Sequence, residues 1–175
     1  MFTNGENLSA EELRSLLHYD PQTGEFTWSS TPRKGVRSGC PAGHKAAYHR
    51  IRIHRVEYKA QRLAWLYVNG SWPNGVIDHI NGNPLDNRIG NLRVGSQSEN
   101  LANRPKQRNN TTGFKGVSKL KGQKFWRATL RGKHIGLFRS PEEASEAYRV
   151  AAEKAYGVFA NWSTDHELNV NISGI

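Results

Sequence analysis

At 175 residues, with 36% hydrophobic residues and five Trp, six Tyr and six Phe, the chain is long enough for one ordinary domain or two small ones and too apolar to be disordered. Its 25 Lys and Arg against 15 Asp and Glu leave a formal charge of +10, the sign of a protein that meets a polyanion, so nucleic acid and anionic membrane are the candidate partners. The single cysteine, Cys40, excludes an internal disulfide and a thiolate zinc cluster, so any metal is to be held by oxygen and nitrogen.

Met1 leads into polar Thr3-Asn4-Gly5-Glu6, and no run of about 18 apolar residues follows, so a soluble cytoplasmic protein with no membrane partner is expected. Ser9-Ala10-Glu11-Glu12 is a capping box ahead of Leu13, Leu16 and Leu17 at helical spacing. Asp20-Pro21-Gln22-Thr23-Gly24 is turn chemistry, and Glu25 to Trp28 alternates like a strand. From Ala47 to Lys59, Tyr48, Arg50, Arg52 and His54 alternate with Ile51 and Ile53, which predicts strands with one basic face. Leu63 to Val68 reads as a short apolar helix ended by Asn69-Gly70 and Trp72-Pro73.

Gly75-Val76-Ile77 is a short apolar strand that runs into Asp78-His79, then the turn-rich Asn81-Gly82-Asn83-Pro84, then Asp86-Asn87-Arg88 and Asn91-Leu92-Arg93-Val94. A second capping box, Ser96-Gln97-Ser98-Glu99, opens a helix with Asn100 in its first turn. Residues 103–112 are polar and basic and contain Pro105, which predicts a linker. Beyond it, Phe114–Lys119, Lys124–Leu130 and Lys133–Phe138 read as three strands joined by turns at Gly122 and Gly132. Ser140-Pro141-Glu142-Glu143 starts a last helix, with Ala144, Ala147, Tyr148, Ala151, Ala152 and Ala155 on one stripe and Gly157 closing it. A stripe of Ala lets a helix lie close to a sheet. The expected organisation is residues 1–102 as a first domain with a strand-rich N-terminal extension, 103–112 as a basic linker, 113–163 as a second domain and 164–175 as a tail.

Charge is unevenly placed. No acidic residue lies between Glu99 and Glu142, and none between Phe26 and Val56, where Arg33, Lys34, Arg37, Lys45, Arg50, Arg52 and Arg55 fall. Two acid-free basic segments interleaved with Trp28, Tyr48, Phe114, Phe125 and Trp126 favour nucleic acid over a merely solvated face. The expected DNA contacts are Arg104, Lys106, Arg108, Lys115, Lys119, Lys121, Lys124, Arg127, Arg131 and Lys133.

Cleaving a phosphodiester needs a nucleophile generated near neutral pH and charge to offset that of the phosphate and the departing oxygen. His79 is the candidate general base, since an unperturbed imidazole is largely neutral at pH 7. Asp78 and Asn100 can offer oxygen to one hard cation, Mg²⁺ or Mn²⁺, which commonly takes one or two protein ligands and fills its shell with water and phosphate. Neighbours on a regular strand point to opposite faces, so Asp78 and His79 must sit at a strand end or twist to serve one site. Asn91 can bridge backbone groups across the loop and hold His79, an orienting role.

The run Val76-Ile77-Asp78-His79-Ile80-Asn81-Gly82-Asn83, with Leu85-Asp86-Asn87-Arg88, Asn91-Leu92-Arg93 and Asn100, resembles the ββα-metal (His-Me finger) motif of phage HNH endonucleases. The resemblance implies Asp78 and Asn100 as metal ligands, His79 as general base and Asn91 as the structural Asn. Asn at the last position is similar to the HNN variant of intron-associated nicking homing enzymes. Gln61-Arg62-Leu63-Ala64-Trp65 resembles a His-Arg-Leu-Ala-Trp stretch of such proteins, with Gln61 departing from it. The segment from Gly113-Phe114-Lys115-Gly116-Val117 through Trp126–Leu130 and Ile135–Phe138 to Tyr156-Gly157 resembles the DNA-binding domain of plant Apetala-type and ethylene-response factors, which implies a three-stranded sheet reading the major groove.

The resulting expectation is an α+β protein, with an N-terminal ββα-metal nuclease domain and a C-terminal three-stranded antiparallel sheet packed on one α-helix. It would act as a monomer on double-stranded DNA in a phage-infected or bacterial cell, with nicking favoured and no small-molecule cofactor. Two other readings stay open: a non-catalytic DNA-binding regulator using the C-terminal domain, and an RNA-binding protein.

Overall fold

The computed structural model describes residues 7–31, 37–106, 109–120 and 122–161. The chain packs as two compact units, Met1–Ser96 and Gln97–Ile175. Both mix helices with small antiparallel sheets.

In the first unit, helix α1 (Ala10–Leu16) begins at Ser9, whose hydroxyl accepts from the Glu12 amide, as the capping box requires. Strands β1 (Leu17–Tyr19) and β2 (Phe26–Trp28) follow as a hairpin in which Tyr19 pairs with Phe26. A three-stranded sheet comes next: β3 (His44–Lys45), β4 (His49–Ile53) and β5 (Val56–Lys59), with β4 in the middle. The alternation is plain in β4, where His49, Ile51 and Ile53 are buried while Arg50 and Arg52 face solvent. Helix α2 (Ala60–Asn69) starts one turn earlier than the apolar run predicts, because Ala60 and Gln61 are also buried, and it ends at Gly70 in the left-handed region. Strands β6 (Val76–His79) and β7 (Leu92–Gly95) form a two-stranded ladder.

One core holds this unit. Leu13, Leu17, Phe26, Ile51 and Leu63 are wholly buried, with Ile77 of β6 and Leu92 of β7 in the same cluster. Each such side chain contributes roughly 1.5–3 kcal/mol over its exposed state. The β6–β7 ladder is thus anchored to the core through one face, which leaves its loop end to present polar groups.

The second unit contains α3 (Gln97–Asn103), β8 (Val117–Lys119), β9 (Trp126–Leu130), β10 (Lys133–Phe138) and α4 (Pro141–Tyr156). The three strands form an antiparallel sheet with β9 central, and α4 packs against all three. At the start of α4, Ser140 Oγ accepts from the Glu143 amide and Glu143 returns a carboxylate oxygen to the Arg139 amide. The buried stripe is Ala144, Tyr148 and Ala152, with Ala147 and Ala151 half-buried and Ala155 exposed, so it is narrower than the alanine pattern predicts. Close packing requires Gly116, where a Cβ would lie 2.3 Å from the Tyr148 ring and the backbone has φ +71°. Helix α3, grouped with residues 1–102 in the sequence reading, packs within the second unit: the Asn161 amide donates to the Asn103 carbonyl at 2.9 Å. No described helix is long and apolar enough to cross a membrane.

Candidate active site

Antiparallel pairing sets Asp78 opposite Arg93 and His79 opposite Leu92. His79 is the last residue of β6, the strand-end position that two neighbouring functional residues require. Asp78 is 3% exposed and His79 7%, an unusual depth for adjacent polar side chains, and both are partnered. Arg93 donates from Nε at 2.9 Å and from Nη2 at 2.8 Å to Asp78 Oδ2, which fixes the carboxylate.

His79 Nε2 lies 3.2 Å from Asn87 Oδ1. The Asn87 amide nitrogen donates to the Leu85 carbonyl, which turns its oxygen toward the imidazole. An amide oxygen only accepts, so Nε2 carries the ring proton and Nδ1 is left as the basic nitrogen. Burial lowers the His79 pKa, against the smaller opposing effects of the Asn87 hydrogen bond and the nearby carboxylates of Asp78 and Asp86. The ring is therefore neutral at pH 7 and able to take a proton.

The loop between the strands is pinned from within. Asn91 Oδ1 accepts from the Asn81 amide at 3.0 Å, and its Nδ2 donates to Asn81 Oδ1 and to the Asp86 carbonyl. The loop-bridging contacts of Asn91 are all within the loop, while the ring of His79 is held by Asn87. Asp86 in turn accepts from Arg88 and Asn81, and these bonds hold its carboxyl below the usual range.

Residues 58–102 match the HNH endonuclease family. The chain is 40% identical over 114 residues to Protein 3.8 of Escherichia phage T7, covering 60% of this chain and 93% of that protein. The chain carries an HNH endonuclease domain over residues 58–102. A second relative, from Acanthamoeba polyphaga mimivirus and itself named an HNH endonuclease, is 27% identical over 128 residues, which cover 71% of this chain and 62% of the relative's length. No solved structure matches.

For an HNH endonuclease the sequence names Asp78, His79, Asn91 and Asn100. The first three lie on or beside the β6–β7 ladder of the first unit, while Asn100 is half-buried on α3 in the second. Among the described residues no group of three or more His, Cys, Asp or Glu gathers to hold an ion. Asp78 carries a carboxylate and Asn100 an amide oxygen, each of a ligand type that a hard cation takes. Sequence reasoning gave no role to Asn87 or Arg93. Arg93 was legible in principle, because hairpin register places it opposite Asp78.

The basic residues of the second unit divide. Arg104, Lys119, Lys124, Arg127, Arg131 and Lys133 are exposed, with Lys119 Nζ 5.4 Å from the Trp126 ring centroid and Arg131 donating to Ser98 Oγ at 2.7 Å. Lys106 is half-buried and donates to the Gly113 carbonyl. Lys115 departs from the expectation of a DNA contact. Its ammonium points inward and donates to the carbonyls of Ala102, Arg104 and Asn161 at 2.6, 2.6 and 2.9 Å, so all three N–H groups are committed. Burial pulls its pKa down to about 8. Arg108 and Lys121, as well as Arg33, Lys34 and the tail, lie outside the described residues.

Proposed function

We propose that the chain is a metal-dependent DNA endonuclease of the ββα-metal kind, homing-type and monomeric, that nicks one strand per binding event. The observation that carries this reading is a buried His79 at a strand end, its Nε2 3.2 Å from Asn87 Oδ1, beside a carboxylate anchored by Arg93. His79 Nδ1 accepts the proton of the attacking water as that water adds to phosphorus and the bond to the 3′-oxygen breaks. Asp78 and Asn100 would hold one Mg²⁺ or Mn²⁺, which when bound supplies positive charge against the phosphate and the leaving oxygen. Asn91 keeps the loop in the shape that presents His79, and Arg93 orients Asp78.

The second unit supplies DNA affinity through its exposed Arg and Lys side chains, on the sheet-plus-helix plan that resembles the Apetala-type domain. That same basic unit supports the alternative of a non-catalytic DNA-binding regulator. Incubating supercoiled plasmid with the protein and Mg²⁺, with and without EDTA, separates the two. The nuclease reading expects open-circle product that EDTA abolishes; a regulator binds the plasmid and yields no metal-dependent product.

A further inference from the structure

Residues well outside the 58–102 family match converge on the dipeptide that holds the His79 ring. Tyr19, at the end of β1, is 2% exposed, and its hydroxyl donates to the Asn87 carbonyl at 2.7 Å across 68 residues of sequence. Burial raises the Tyr19 phenol to about 12, so it remains a donor at any working pH. Its ring is fixed from behind, with centroids 4.7 Å from Phe26 and 5.6 Å from Tyr67. The turn after it makes a second approach to the same place. Gly24, at φ +75°, lies so close that a Cβ there would stand 2.5 Å from the Arg88 nitrogen and 2.6 Å from the Asn87 carbonyl carbon. Asn87 itself is 1% exposed. A hydrogen bond and a glycine contact therefore clamp the backbone of one residue from a hairpin that the matched motif does not contain.

We propose that the β1–β2 hairpin is a built-in part of this active site, in which Tyr19 and Gly24 set the Asn87 backbone so that its side chain holds His79 in the Nε2-protonated tautomer. Asn87, Tyr19 and Gly24 are positioning residues; none touches the reacting atoms. The inference rests on His79 acting as the base, because only then does the tautomer matter to turnover. A misplaced or wrongly protonated base slows the chemical step and leaves DNA binding intact.

The test is made on the full chain with two readouts. Long-range ¹H–¹⁵N spectra of the metal-free protein, at a pH where the ring is neutral, report which His79 nitrogen is protonated; nicking of supercoiled plasmid with Mg²⁺ reports kcat and KM. Tyr19→Phe keeps the ring packing and removes only the hydroxyl, and Asn87→Leu removes the acceptor. Both are expected to move the His79 signature toward a tautomer mixture and to lower kcat about 10- to 100-fold with KM within about twofold. Asn87→Asp, which restores an acceptor for Nε2–H, is expected to recover the Nε2-protonated signature and most of kcat. A Tyr19→Phe protein with wild-type signature and wild-type kcat overturns the proposal, as does a kcat loss with an unchanged signature. If His79→Ala still cleaves, the assignment of the base fails, whereas the positioning claim is still decided by the signature in Tyr19→Phe.

Discussion

At the scale of single residues, burial sets the proton chemistry. A histidine whose pKa is lowered by desolvation stays neutral further into the acid range, so under the base reading the acid limb of single-turnover cleavage has its midpoint below about 6.5, the unperturbed value. A midpoint above that value, at saturating metal, would speak against a buried neutral base. His49, whose Nε2 donates to the Ala42 carbonyl, is lowered by burial in the same way. Both groups bind protons less readily folded than unfolded, so their contribution to stability is present above about 6.5 and fades as pH falls through and below it. The site was unevenly legible at this scale. Asp78 and His79 declared themselves because the chemistry and the spacing sit in one short stretch. Asn87 was in view without a role, since the bond it makes depends on how the loop folds back, and Tyr19 carried no signal, being distant in sequence from its acceptor.

Elements were read well where a pattern repeats and less well where packing decides. The alternation of β4 follows from side-chain geometry alone, and the caps of α1 and α4 formed as their sequences dictate. The extra turn of α2 was not visible in a window of apolar residues, because Gln61 is polar and yet buried. The β4–β5 hairpin carries a cost that its sequence conceals. His54 and Arg55 form its two-residue turn at φ +48° and +68°, the left-handed region that Asn-Gly occupies with less strain. Replacing the pair by Asn-Gly is expected to raise the thermal midpoint by a few degrees, about 1 kcal/mol. A calorimetric scan showing a lower midpoint would mean that the lost His54–Glu12 contact outweighs the relieved strain.

For the whole molecule, charge and packing must be told apart, and composition alone could not do so. All eleven basic residues between Glu99 and Glu142 look alike in sequence, yet Lys115 is committed to three backbone carbonyls while Lys124 and Lys133 are exposed. Lys124→Ala and Lys133→Ala are each expected to reduce the slope of log affinity for duplex DNA against log salt by about 1 without changing the thermal midpoint. Lys115→Ala is expected to do the reverse, lowering stability by about 2–3 kcal/mol through the unpaired carbonyls and leaving the slope unchanged. A salt titration beside a melting curve for each variant distinguishes these outcomes. The most direct test of the account is the rate at which His79→Ala nicks plasmid under Mg²⁺, with duplex affinity measured on the same preparation. The account predicts a rate lower by about 10²–10⁴-fold at unchanged affinity, and a wild-type rate would contradict it.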